Sequence, residues 1–254
     1  MSSAQQRADH AADPGIQLLG REQGPLIIID EFSTDPERLV DYAATRCSFS
    51  PVTANLYPGV RARPPEDYIK EVLSKVEELV RSVYGLQDTA LAGGQCSFSL
   101  VTTPPEKLRP LQRVPHFDNT NLNQLAVLHY LCPEEHGGTS FYRHRSTGFE
   151  IITKERCDTY KARLNAEINA SSPPPPAYID GDTPLFERIG RVQARFNRMV
   201  VYRSANLHSG NIPHGFRFER DARKGRLTLN TFLVFGPHGE TMDPMRKTPT
   251  AAAP

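Results

Sequence analysis

The sequence predicts a mainly β fold with supporting helices, and three observations carry that reading. The 17 Gly and 22 Pro occupy 39 of 254 positions, a turn-rich balance that suits short strands joined by loops and disfavours a helix bundle. Helical patterning is confined largely to the segment before Gly85, and β-branched runs follow Gly94. Elements segregated in this way build an antiparallel sheet or barrel braced by helices, whereas parallel α/β folds alternate their elements.

Taken in order, residues 1–20 are expected to form a mobile tail. Leu26 to Ile29 is a β-branched strand, and Asp35 as N-cap with Pro36 at the first helical position opens a helix over 36–46. In the helix expected over 65–84, Ile69, Val72, Leu73, Val76, Leu79, Val80 and Val83 recur at three- and four-residue spacings, and Gly85 ends it. Strands are then expected at 95–101, 125–131, 139–142, 192–196, 199–202 and 227–235. An insertion over about 151–190 interrupts them, with a helix-like Lys154 to Ile168 and the extended proline run Pro173 to Pro176. The expected organisation is thus a single domain over 21–243, with a second mobile tail over 244–254 and no internal repeat.

Charge and cysteine content exclude several classes. With 30 Lys+Arg against 29 Asp+Glu the formal net charge is +1, so no global field favours nucleic acid. No apolar stretch approaches the roughly 20 residues of a spanning helix. Met1 to Pro14 lacks the apolar core of a secretory signal, which makes a cytoplasmic address the default expectation. Cys47, Cys96, Cys132 and Cys157 form no Cys-x-x-Cys pair and are expected to be free thiols.

The residues able to do chemistry start at Val114-Pro115-His116-Phe117-Asp118. On extended backbone His116 and Asp118 point to the same face, one pleat apart, and could converge on one ion. Alone this signal is weak, since 8 His and 13 Asp in 254 residues give about 0.4 chance matches to His-x-Asp, and a solvated strand pair is the bland alternative. Downstream, the apolar run Met199 to Tyr202 delivers His208 just past its end. Two imidazoles and one carboxylate make the facial triad that leaves adjacent positions of an octahedral iron(II) open. Gly225-Arg226 then opens a further strand, and the planar fork of Arg226 suits bidentate capture of a carboxylate.

This order of motifs resembles the 2-oxoglutarate/Fe(II)-dependent dioxygenases, in particular their prolyl-hydroxylase-like branch. The matching residues are His116-x-Asp118, Tyr130-Leu131, Gly137 to Phe141, Phe196-Asn197-Arg198, His208 and Gly225-Arg226, within roughly 95–235. The resemblance implies a double-stranded β-helix (jelly-roll, cupin-like) core with Fe(II) held by His116, Asp118 and His208. It implies 2-oxoglutarate as co-substrate, its far carboxylate on Arg226 with help from Tyr130, and O2 as oxidant. The implied reaction is hydroxylation of a C–H bond with decarboxylation of 2-oxoglutarate to succinate. The implied partner is a small-molecule or peptide substrate, with no nucleic acid and no membrane; the oligomeric state stays open.

Two departures and two other classes bear on this reading. His208 and Arg226 are 18 positions apart, longer than the family's usual interval, so Arg217 competes with Arg226 for the co-substrate; Arg226 is favoured because it directly opens the apolar strand, where the family places this residue. The intervening Asn211 to Lys224 reads either as a substrate lid or as a solvated hairpin. Asp118 argues against halogenation, because the related halogenases replace that carboxylate with a small residue. The other classes are a catalytically silent metal-binding module and a zinc hydrolase; the latter needs a nearby Glu or Asp as general base, and no sequence-local residue is obvious in that role. His129, next to Tyr130 on an alternating strand, is expected to face the opposite way in a structural role.

Overall fold

A computed structural model describes residues 14–51, 56–170 and 174–238. Its first element, β1 (Gly15–Leu19), forms a hairpin with β2 (Gly24–Ile29), and positive φ values at Gly20 and Gln23 close the turn. Residues 14–20 therefore belong to the folded body, against the expectation of a tail reaching residue 20. The rest of the expected N-terminal tail, the whole of the C-terminal one and Pro173 lie outside the described residues.

The helix α1 (Pro36–Arg46) starts as its sequence dictates: Pro36 supplies a preset φ, and the Asp35 carboxylate accepts a hydrogen bond from the Arg38 amide at 3.1 Å. After β3 (Ser50–Pro51) and β4 (Gly59–Ala62) comes α2 (Asp67–Tyr84), which buries Tyr68, Val72, Val76, Val80 and Tyr84 along one stripe. Gly85 ends it at φ 68°, in the left-handed region, and the Leu86 amide closes the terminus on the Arg81 carbonyl. Both helices pack on the outer face of a large sheet, over a core that includes Leu39, Phe98, Leu100, Val127, Val201 and Leu229.

The strands that follow are β5 (Ala90–Val101), β6 (Gln124–Tyr130), β7 (Gly138–His144), β8 (Phe186–Gln193), β9 (Arg198–Arg203), β10 (His208–Asn211) and β11 (Leu227–Gly236). They form two antiparallel sheets, a major one in the order β1-β2-β9-β6-β11-β5-β4-β3 and a minor one in the order β10-β7-β8. The chain alternates between them. From β5 in the major sheet it passes to His116, which bridges to His208, the first residue of β10, then to β6 in the major sheet and β7–β8 in the minor one. It returns to the major sheet with β9, the minor with β10 and the major with β11. This winding is a double-stranded β-helix. Leu128, Tyr130, Val200 and Tyr202 from the major sheet meet Phe141 and Val192 from the minor one between the two layers.

α3 (Lys154–Ala170) sits in the expected insertion between β7 and β8, and its Tyr160 and Leu164 pack against Tyr142, Phe186 and Leu207. The strand expected over 192–196 lies earlier, at Phe186–Gln193. Asn197 turns the chain at φ 64°, which ends extension before β9. All four cysteines are free thiols, and among the described residues no helix is long and apolar enough to cross a membrane.

Candidate metal centre and co-substrate pocket

Backbone pairing brings the two halves of the centre together. The His116 amide donates to the His208 carbonyl at 2.9 Å and the His208 amide returns a bond at 2.8 Å, while the Asp118 amide donates to Ser204 at 2.8 Å. Residues 92 positions apart in sequence thereby become neighbours by ladder pairing, which no local pattern specifies.

His116, Asp118 and His208 each offer one ligand atom, and these atoms all lie within 4.8 Å of one another. His116 Nε2 is 3.7 Å from Asp118 Oδ1, and His208 Nε2 is 3.5 Å from Asp118 Oδ2. The side chains grade from open to closed, at 48% exposed for His116, 22% for Asp118 and 7% for His208, so solvent reaches the centre from the His116 side. Half of the His116 side chain is exposed, and the other half is packed against the protein. That packing, with repulsion from His208 and Arg61, pushes its pKa down to about 4 against the pull of Asp118. At neutral pH its ring is uncharged and its lone pair free to bind a cation.

His208 is held by what surrounds it. Its Nδ1 donates to the Asn206 carbonyl at 2.9 Å, which fixes the tautomer and leaves the Nε2 lone pair aimed at Asp118. Tyr202 packs edge-on against the ring at 4.8 Å between centroids, and Phe141 lies at 6.5 Å. Asn206 escaped the sequence reading because it acts through its carbonyl, which every residue possesses.

Arg226 immediately precedes β11 and is 4% exposed. Its Nη2 donates to the Gly138 carbonyl at 2.8 Å, its Cζ lies 5.6 Å from the Tyr130 ring centroid, and its buried Nε has no hydrogen-bond partner. The guanidinium also lies beside Gly210, two residues along β10 from His208. The Tyr130 hydroxyl shares a 2.6 Å hydrogen bond with Thr139 Oγ1, and burial pushes its pKa up to about 12 although Arg226 pulls the other way. The phenol therefore stays protonated and able to donate.

Arg217 is elsewhere. It is exposed in the β10–β11 connection, on a surface pocket with Glu135, His136, Phe216, Glu219 and Lys224. That connection is no free hairpin: Ala222 is buried in the helix-side core and Arg223 pairs with Asp41 of α1 at 2.8 Å. Arg143 is engaged by Glu150 and Glu187 within the fold. His129 faces the helices: its ring stands between the Tyr68 hydroxyl and Asn197 Oδ1, each 3.0 Å away.

Arg61 and Tyr57 also border the site and were missed. The signal lay in Gly59-Val60-Arg61-Ala62, where apolar Val60 and Ala62 flank a cation that must then face the other side of the sheet. Four residues without a longer apolar alternation are too short to stand out from a loop.

No curated protein sequence matches this chain. Among solved structures, HygX from Streptomyces hygroscopicus, with nickel, 2-oxoglutarate and hygromycin B bound, has a TM-score of 0.46 at 14% identity, covering 87% of this chain and 88% of that one. SnoN, a non-heme alpha ketoglutarate dependent epimerase from nogalamycin biosynthesis, gives 0.46 at 12% identity over 89% of each chain. An N-substituted L-amino acid dioxygenase from Burkholderia ambifaria gives 0.37 at 12% identity, over 86% of this chain and 84% of that one. At these scores the fold assignment rests on the strand order and not on the likeness. The family model DUF6445, a family of unknown function, matches residues 10–233, and the chain belongs to that family.

Proposed function

We propose that this protein is an oxygenase dependent on Fe(II) and 2-oxoglutarate that hydroxylates a C–H bond. The observation that carries the proposal is the proximity of two features, joined by the strand that carries both His208 and Gly210. One is a cluster of two imidazoles and a carboxylate with an open flank. The other is a buried arginine beside Gly210, one pleat along the strand from His208, with an unused Nε.

The donor set fits the metal: neutral nitrogens and one carboxylate suit iron(II) bound on one face, with the opposite face left for other ligands. Asp118 fills the position that a halide would need, which favours hydroxylation. Iron and 2-oxoglutarate, when bound, supply the oxidising chemistry, and the co-substrate leaves as succinate and CO2.

The chain's own residues do the rest. Asn206 keeps the proton on His208 Nδ1, so that Nε2 stays a ligand. Arg226 would pair with the far carboxylate of the co-substrate, and the Tyr130 hydroxyl, now bonded to Thr139, could donate a second bond. Phe141, Val200 and Tyr202 exclude water from the closed side. Arg226 is favoured over Arg217 because a buried guanidinium strengthens charge pairing that solvent would screen at an exposed one. The test is binding of 2-oxoglutarate to iron-loaded protein without oxygen, read as a visible charge-transfer band.

A further inference from the structure

The register of the major sheet sets Tyr130 opposite Thr228, Thr228 opposite Ser99 and Ser99 opposite Arg61. Directly opposed residues share a face, and Tyr130 faces the space between the sheets, so Arg61 does as well. Its neighbours Val60 and Ala62 confirm the alternation by packing into the helix-side core. Two inter-strand steps of about 4.8 Å each, across β5, separate Arg61 from Thr228, so it stands farther along the same sheet face than the co-substrate position proposed beside Arg226. Its charge is felt at His116.

Among the described residues Arg61 has no anionic partner. Its Cζ lies 4.7 Å from the Tyr57 ring centroid, its Nε is buried with no hydrogen-bond partner, and among the described residues no carboxylate pairs with it. A guanidinium does not shed its proton to escape this situation. The charges of the loaded centre make the same point. A metal dication and Asp118 leave one positive charge, Arg226 and Arg61 add two, and dianionic 2-oxoglutarate removes two. One positive charge is left over, and it lies on Arg61.

We propose that Arg61 anchors the substrate and that the substrate is a monocarboxylate, held by its carboxylate on the Arg61 fork with the bond to be oxidised turned toward the metal. This rests on the oxygenase reading above. Aromatic side chains lie beside it: Tyr57 sits under the guanidinium, and Tyr178, near enough to Tyr57 to interact with it electrostatically, stacks on Phe218 at 6.0 Å with its hydroxyl donated to the Thr103 carbonyl at 2.7 Å. Tyr178 follows the proline run, whose Pro174 carbonyl accepts a 2.9 Å bond from Arg113. An acid with an apolar or aromatic body would complement these aromatic neighbours.

Phenylacetate and phenylacetamide, which differ in charge and little in shape, test the idea by calorimetric titration into protein loaded anaerobically with Fe(II) and 2-oxoglutarate. The acid is expected to bind at least about tenfold more tightly than the amide, as a charge-assisted hydrogen bond warrants. Arg61→Met is expected to abolish that preference while leaving 2-oxoglutarate affinity unchanged, and Arg61→Lys, which keeps the charge in a milder change, to retain part of it. Equal binding of acid and amide, binding of neither, or an undiminished preference in Arg61→Met overturns the proposal. So does a loss of 2-oxoglutarate affinity in Arg61→Met, which would place Arg61 on the co-substrate. Wild-type protein that binds no 2-oxoglutarate contradicts the oxygenase reading, and this inference with it; the other outcomes contradict this inference alone.

Discussion

The guanidinium of Arg226 lies against the backbone of Gly210: a Cβ built on that glycine would come within 3.8 Å of Arg226 Nη2. That is ordinary contact, so Gly210→Ala should be tolerated. A longer side chain would occupy the space where a carboxylate meets the guanidinium. Gly210→Leu is therefore expected to weaken 2-oxoglutarate binding by about tenfold or more while iron affinity stays near that of the parent, because lost charge-assisted hydrogen bonds dominate the effect. Separate titrations of metal and co-substrate check this.

The choice between the two candidate arginines is settled by the same titration. Arg226→Met is expected to raise the dissociation constant for 2-oxoglutarate by at least about tenfold, the cost of an unpaired buried carboxylate. Arg217→Met, a change at an exposed position, should leave it within about twofold. The reverse pattern would move the co-substrate to the surface pocket beside His136.

Asn197 joins the helix layer to the sheet. Its Oδ1 accepts from the Ser33 amide at 2.8 Å and from His129 Nε2 at 3.0 Å, and its Nδ2 donates to the Ser33 carbonyl at 2.9 Å. Since Oδ1 only accepts, the His129 proton sits on Nε2, and Nδ1 accepts from the Tyr68 hydroxyl. The residue also holds φ 64°, which asparagine tolerates better than alanine. Asn197→Ala should destabilise the fold by about 2–4 kcal/mol, measurable by urea unfolding, with the loss of buried hydrogen bonds as the larger part.

Burial lowers the His129 pKa from 6.5 to about 4, with the Asn197 hydrogen bond opposing. The folded state holds this ring neutral, whereas the unfolded chain takes up a proton as pH falls below 6.5. The stability associated with the neutral ring is thus fully present above pH 6.5 and is lost progressively down to about pH 4. A shift of this size corresponds to about 3 kcal/mol. Metal-free protein should unfold at lower urea as pH drops through that window, and His129→Gln should make the dependence shallower without removing it, because His116 is lowered over the same range. His136 and His144, also lowered by burial, reinforce the trend.

How far the sequence anticipates this structure follows from which interactions are local. The helix from Pro36 to Arg46 is legible because its cap, its first-turn proline and its apolar face lie within a dozen residues. The β5, β6, β9 and β11 strands are legible because each carries an apolar run. His-Ser-Gly-Asn, the whole of β10, carries none, and it is a strand only because Phe141 to Gly138 pairs with it. β1 is extended by pairing with β2, and its exposed Ile16 and Leu18 show no buried face. The His-x-Asp motif and His208 stand out as residue types, yet their meeting depends on the bridge between His116 and His208, a long-range pairing. The preference for Arg226 over Arg217 is legible from its place at the opening of the β11 apolar run, and the burial of Arg226 against the exposure of Arg217 adds a reason that residue order does not supply.

The central claim is that His116, Asp118 and His208 hold iron with a free face, beside an arginine that takes 2-oxoglutarate. Anaerobic addition of Fe(II) and then 2-oxoglutarate to the full chain tests it most directly. The account predicts a weak visible metal-to-ligand charge-transfer band that saturates with 2-oxoglutarate and is absent in Asp118→Ala and in Arg226→Met at the same co-substrate concentration. Protein shown to carry one iron per chain that develops no such band would contradict it.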